Sequence, residues 1–389
     1  MKKLLIVLLA ITVMGILAYA DDMAPAPAAP VVTIGDWGKQ ILAFGNTDNN
    51  SGTGYQFGLG TSWGSTPRIV GLQISAHNAN AGFAISPDAD NGSFGLTDEN
   101  KAWVSPLPGL TFESGITLET DTWRGITDYA ADDWIRYPGI GVSGNTTTFF
   151  RLGEGGYMSD LNYNMNGIGL WYGLANPAAP VTGNGVPATD IAKSTQAGAA
   201  YTIAGIGMIK AQWYGLNVAT GNGNFGAPTG ANTINAAFNL SAVKGLYEEI
   251  AILYPTSDVG YSIEVMDDIG YTMAPLAIHA RVEAVSYDGN VAKVSGLGLT
   301  GNVAVDYDLG NGLGAEAAVD YSNATQVNSG VSTGGTALTG VLVDIKKSFS
   351  NGWIGIGFQY TSINFGGGNL VGTPAYSHWA IPIAVSEWF

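Results

Sequence analysis

The chain has 389 residues, no cysteine, 56 glycines and a formal net charge of −16. Charged residues make up only 12% of it, against about a quarter in average usage, and the mean hydropathy is positive. Without cysteine there are no disulfides, thiolate zinc sites or lipid-modified N-terminal cysteine; with 15 scattered Lys and Arg there is no basic stripe for nucleic acid.

The N-terminus has the order of an export signal. Lys2 and Lys3 precede an apolar run from Leu4 to Leu17, and Ala18-Tyr19-Ala20 sets small residues at a cleavage site before Asp21 and Asp22. The run is too short to span a bilayer. We assign residues 1–20 to a signal peptide. Cleavage would remove two lysines and no acid, taking the charge from −16 to about −18. Next comes Ala24-Pro25-Ala26-Pro27-Ala28-Ala29-Pro30, a stiff extended stretch. Residues 21–38 are assigned to a periplasmic linker and residues 39–389 to one folded domain.

Beyond the linker a period of two dominates. Tyr55, Phe57, Leu59 and Trp63 alternate with Gln56, Gly58, Gly60 and Ser62. Similar segments follow at Leu110–Leu118, Ile234–Ser241, Val259–Val265 and Leu297–Asp308. Successive strand side chains point to opposite faces, so each segment has one apolar face and one small or polar face. Several segments reach ten residues, as at 297–309 and 353–364. That is longer than a typical soluble strand and matches the nine to eleven or so that a tilted strand needs to cross a bilayer. Connections alternate between short and long. Asn311-Gly312 and Ser350-Asn351-Gly352 are tight turns, with others expected near 267–274, 243–244, 204–205 and 166–167. Longer loops are expected at 121–133, 175–194 and 219–233. Aromatic residues gather at strand ends on the apolar face: Trp63, Tyr172, Tyr254, Tyr321 and Tyr360 at one end, Tyr307, Phe349 and Phe389 at the other. They predict two girdles at the lipid–water boundaries. The pattern predicts an all-β fold: a transmembrane antiparallel up-and-down β-barrel of about 18 strands, in a range of 16–20.

The last segment carries a resemblance. Trp379, Ile381, Ile383, Val385 and Phe389 share one parity and end the chain on an aromatic residue. This is similar to the C-terminal strand of Gram-negative outer-membrane proteins and porins. The resemblance implies residence in the outer membrane, recognition of this strand by the barrel-assembly machinery, and a possible homotrimer. Glu387 departs from the pattern by its charge, and Pro382 removes one ladder donor, which places it at a bulge or an unpaired position.

Candidate pore-lining groups are the polar members of the alternation: Glu113, Glu119, His279, Arg281, Glu283, Asp306, Glu316, Asp320, Asp344 and Lys346. Their acidic excess predicts a preference for cations, because a field of one sign at a narrow opening selects ions. Inward glycines and alanines such as Gly298, Ala304, Gly314 and Ala318 leave room for water or for strand coiling. No cofactor or metal is expected. Asp88, Asp90, Asn91 and Gly92, and likewise Asp48, Asn49 and Asn50, read as polar turns rather than calcium loops. Only His77, His279 and His378 could serve a catalytic base, and neither the Ser75–His77 pair nor the His378–Ala380 pair has an acidic orienter nearby in sequence, so no enzyme is expected. The leading reading is an outer-membrane porin for passive diffusion of ions and small hydrophilic solutes, narrowed by one of the long loops. The alternatives are a structural or adhesive surface barrel with a narrow or plugged lumen, and a secreted soluble β-protein.

Overall fold

The structure is a computed structural model, and it describes residues 30–49, 52–60, 68–90, 93–96, 100–116, 119–124, 151–154, 158–175, 195–215, 232–256, 261–287, 296–322, 336–365 and 376–388. The signal peptide, the Ala/Pro stretch up to Ala29, Trp63, Phe389 and most of the three long loops lie outside them.

The described segments form 18 barrel strands. The first six are β1 (Val31–Asn49), β2 (Gly52–Gly60 and Arg68–His77), β3 (Ala81–Ile85 and Pro87–Asp90), β4 (Ser93–Leu96 and Asn100–Leu107), β5 (Leu110–Ile116 and Glu119–Arg124) and β6 (Arg151–Glu154 and Met158–Met165). The next six are β7 (Ile168–Ala175), β8 (Thr195–Ile203), β9 (Gly207–Tyr214), β10 (Thr233–Leu240), β11 (Leu246–Pro255) and β12 (Tyr261–Met273). The last six are β13 (Leu276–Tyr287), β14 (Gly296–Gly310), β15 (Leu313–Ser322), β16 (Thr336–Phe349), β17 (Gly352–Phe365) and β18 (Tyr376–Trp388). Where a strand has two segments, both pair with the same neighbour: the two parts of β2 pair with Ile41–Asn49 and Val31–Trp37 of β1.

Every described neighbour is antiparallel, and β1 pairs with β18 from Trp37↔Trp388 to Asp48↔Ser377, which closes the barrel. The even strand number brings both ends of the barrel sheet to the same rim. That rim carries most of the tight turns, while the Asn49↔Gly52 and Asp90↔Ser93 pairings close two-residue connections at the other. At Asn166-Gly167 and Asn311-Gly312 both turn residues have positive φ, of 54° and 78° and of 55° and 73°. This is the mirror-image turn whose twist suits a two-residue hairpin, and Asn and Gly tolerate it best.

The apolar face points out. On β17, Ile354, Ile356 and Phe358 are 47%, 51% and 46% exposed, while the alternating Trp353 and Gln359 are 5% and 3%. The same inversion runs around the sheet, with Ile278 and Val282 exposed beside buried His279 and Arg281. A soluble protein would bury the first set; a strand crossing hydrocarbon exposes it to lipid and satisfies its backbone through the closed ladder. Outward aromatics also bridge the closing seam. Phe44 on β1 stacks on Tyr55 of β2 at 6.0 Å and meets Trp379 of β18 edge-on at 5.7 Å. Such pairs contribute about 0.5–1.5 kcal/mol each beyond area burial.

Three expectations change. The sheet begins at Val31, because the β-branched run Val31-Val32-Thr33-Ile34 pairs with Gly71–His77; residues 31–38 are strand, not linker. The turn expected near 267–274 lies at Ala274-Pro275, because β12 continues through Asp267 and Asp268 to Met273, paired with Leu276. The loop expected at 121–133 starts later, since the strand runs to Arg124. Pro382 behaves as its missing N–H requires. It pairs with Ala43 of β1, while the β17–β18 ladder passes from Ile356↔Ile383 to Gln359↔Ala380 with no pairing at Pro382.

Candidate pore wall

Inward side chains follow from parity and register. On β12, Ile263, Val265 and Ile269 face out, so Glu264, Met266 and Asp268 face in, at 0%, 3% and 2% exposure. On β13 the inward set is His279, Arg281 and Glu283, all buried. Asn302 and Asp306 follow on β14, Glu316 and Asp320 on β15, Asp344 and Lys346 on β16. Antiparallel pairing sets these residues side by side in rows across the wall. Asp268 is opposite Arg281, and its carboxylate accepts from the Arg281 Nε at 3.0 Å. Asn302 is opposite Asp320 and donates to it at 2.6 Å. Asp306, Glu316 and Asp344 are consecutive members of one row. His279 Nδ1 lies 3.7 Å from Asp306. Lys346 holds its ammonium 5.7 Å from the centre of the Trp353 ring, an arrangement that ring electrostatics favour.

The rest of the wall is mostly neutral. Trp171 on β7 donates its indole N–H to Gln212 at 2.9 Å, and Gln212 donates to Gln196 at 3.3 Å. Trp171 lies over Gly198, its cross-strand partner, where an added Cβ would come within 2.6 Å of the indole nitrogen. Trp103 lies over Gly82 in the same way, with a Cβ 2.8 Å from the ring. Some of the abundant glycine therefore makes room for indoles to lie flat against the wall. On β14–β18 and β1 a buried apolar patch of Ile41, Ala43, Leu342, Trp353, Ala380 and Ala384 interrupts the polar groups.

The expected lining residues fall on this inner face, with one exception. Glu113 is inward and 3.5 Å from Lys101. His279, Arg281, Glu283, Asp306, Glu316, Asp320, Asp344 and Lys346 are inward and gathered on β13–β16. Glu119 lies in the second segment of β5, and its side chain is outside the described ones. Sequence reasoning missed Asp160, Glu249, Glu264 and Asp268, all inward and buried. Parity with Ile263 and Val265 was the signal that could have found Glu264. Asp268 was hidden by the turn placed over it. Of the girdle residues, Tyr172, Tyr254, Tyr321 and Tyr360 face out at the long-loop ends of their strands, and Tyr307 and Phe349 near the tight turns. Trp379, Ile381, Ile383 and Val385 share the outward face of β18, and Glu387 is exposed on it.

Among the described residues, Asp267 is a charged group set within the apolar part of the outward face. Asp267 sits between Ile250 and Val282 across the strands and between Val265 and Ile269 along its own. Tyr271 marks the turn-side boundary four residues below it.

No protein-family model matches the chain, and no curated protein matches it. Solved structures do. OpdQ of Pseudomonas aeruginosa is 11% identical, with 92% of this chain covering 97% of that one at a TM-score of 0.51. An anion-selective porin from Comamonas acidovorans is 12% identical, over 92% and 100% of the two chains at 0.49. The outer membrane channel DcaP of Acinetobacter baumannii is 11% identical, over 94% and 99% at 0.47. At such identities the likeness is one of fold: this chain is a closed 18-stranded antiparallel β-barrel of the kind found in outer-membrane channels.

Proposed function

We propose that this protein is an outer-membrane channel for passive diffusion of ions and small hydrophilic solutes, with a preference for cations. The observation that carries the reading is the inversion of the barrel: apolar side chains face outward and exposed, while carboxylates from β11 to β16 line the inside. On β11 to β16 the inward Glu249, Glu264, Asp268, Glu283, Asp306, Glu316, Asp320 and Asp344 outnumber the inward Arg281 and Lys346, and Lys101 and Lys210 face inward elsewhere on the described wall. Glu316 and Asp344 are buried in the wall, 4% and 5% exposed, beside the more open Asp306. A narrow, low-dielectric passage focuses the field of fixed charges, so one sign of ion enters more readily. The acidic sign supports a cation preference here, in contrast to the anion-selective porin of like fold. In this reading the outward face of β18 is what the barrel-assembly machinery engages, and three copies form the membrane unit.

The test is the reversal potential of the refolded chain in a planar bilayer under a salt gradient. A potential on the cation side supports the reading, and one on the anion side removes the selectivity claim. A second reading, a structural barrel with a narrow or plugged lumen, is favoured by the near-complete burial of the same wall. A folded, inserted protein that passes no current would select it.

A further inference from the structure

Three carboxylates stand in one row of the inner wall. Asp306, Glu316 and Asp344 are direct cross-strand partners on β14, β15 and β16. Like charges directly opposite each other destabilise a sheet unless something offsets them. Lys346, two residues from Asp344 on the same face, offsets part of the row's charge, but its ammonium lies over the Trp353 ring and one cation cannot match three carboxylates. Asp344 is 5% exposed, and its Oδ2 has no hydrogen-bond partner among the described residues. A buried carboxylate oxygen without a partner marks a place where a ligand's donor is missing.

The geometry narrows the ligand. Among the described residues no three His, Cys, Asp or Glu groups converge so as to hold a metal ion. The carboxylates instead follow the strand spacing of about 4.8 Å, one per strand. A ligand that meets all three must itself be extended, with positive donors repeating at roughly that interval. Ammonium groups joined by three or four methylenes repeat at a little more than one strand spacing. A terminal ammonium can donate three hydrogen bonds and an internal one two, and each bears the charge opposite to its carboxylate. Asp306, whose side chain is 32% exposed, is the open end of the row and the first rung a ligand would meet. The apolar neighbours Ala304, Ala318 and Leu342 lie one row further along the same strands, where methylene spacers can rest.

We propose that the Asp306–Glu316–Asp344 row binds a linear polyamine, one ammonium to each carboxylate. The proposal rests on the reading of this face as the channel wall.

The test is block of single-channel current by the triamine spermidine, with Mg2+ and the monoamine propylamine measured on the same channels. Spermidine is expected to half-block at least about tenfold below Mg2+, because matched spacing adds contacts that charge alone does not. Glu316→Gln with Asp344→Asn should raise the half-blocking spermidine concentration roughly thirtyfold, the factor for two solvated ion-pair contacts. The ratio of half-blocking concentrations, Mg2+ over spermidine, should fall toward one. If that double variant fails to insert, Asp306→Asn at the exposed rung is the substitute, with an expected rise of about fivefold. Equal block by spermidine and Mg2+ in the unaltered channel, or an unchanged ratio in the variants, overturns the polyamine site and leaves the channel reading intact. Absence of any cation-selective current overturns the channel reading and the site with it.

Discussion

Replacing Arg281 by methionine decides whether the inner wall is packed or wet at the depth of the Arg281–Asp268 pair. The two groups are 3.0 Å apart with side chains 4% and 2% exposed. The substitution keeps most of the aliphatic stem but removes the guanidinium. It leaves Asp268 beside Glu249, its in-register neighbour on β11. Truncating one partner of a buried pair costs about 3–5 kcal/mol, whereas a solvated pair is worth about 1 kcal/mol or less. Arg281→Met should therefore lower the unfolding free energy in lipid vesicles by about 3–5 kcal/mol. Asp268→Leu alone should cost a similar amount, and the double variant should lose less than either single, so that the two single losses together exceed the double loss by more than about 3 kcal/mol. Urea unfolding followed by tryptophan fluorescence, with heat-modifiable migration on gels as a second probe, gives all four corners of the cycle. Single losses of about 1 kcal/mol or less, with no coupling, would refute the argument and mean that water reaches the pair.

Asp267→Leu should raise the unfolding free energy in vesicles by about 1–3 kcal/mol, since it replaces a carboxylate on the lipid-facing wall by an apolar side chain; a fall in the same urea titration would mean that this face meets something polar. Gly245→Ala should destabilise by about 1–3 kcal/mol, because Gly245 has a φ of +82° and a Cβ there would lie 2.7 Å from the Thr272 carbonyl oxygen. An unchanged urea midpoint would contradict it. Deleting Phe389 should slow assembly into vesicles by the barrel-assembly machinery while leaving unassisted folding in detergent near its normal rate, and equal effects on both would remove the C-terminal recognition role.

The architecture was legible because a barrel wall imposes one rule on every residue. A period of two, strand lengths near ten and the Asn-Gly turns at 166–167 and 311–312 follow directly from a closed sheet in lipid. Asn311-Gly312 could be read as a turn with confidence in its mechanism, since two adjacent positive φ angles suit few other pairs. Misreadings arose where local composition competed with tertiary pairing. Asp267-Asp268 has the polarity of a turn, yet Asp268 gains Arg281 as a partner across the sheet and the hairpin extends to Pro275. Val31–Trp37 follows a proline-rich stretch, and only its pairing with β2 reveals it as strand. The rows of the inner wall were not legible at all. Parity gives the face of a residue, but the alignment of Asp306 with Glu316 depends on a register shift between Asp308 and Gly310 beside the tight turn, and that of Glu316 with Asp344 on a register that a long loop does not fix.

The most direct test of the account uses the absence of native cysteine, which makes single cysteines free of background. Asp306 and Val305 are adjacent on β14, the first facing the lumen with its side chain 32% exposed and the second facing out at 36%. Asp306→Cys and Val305→Cys channels would be recorded in a planar bilayer while a positively charged, water-soluble thiosulfonate is added. The account predicts a stepwise fall in current and in cation preference for Asp306→Cys and no change for Val305→Cys. Current that responds at Val305→Cys and not at Asp306→Cys would contradict the placement of the acidic face toward a conducting lumen.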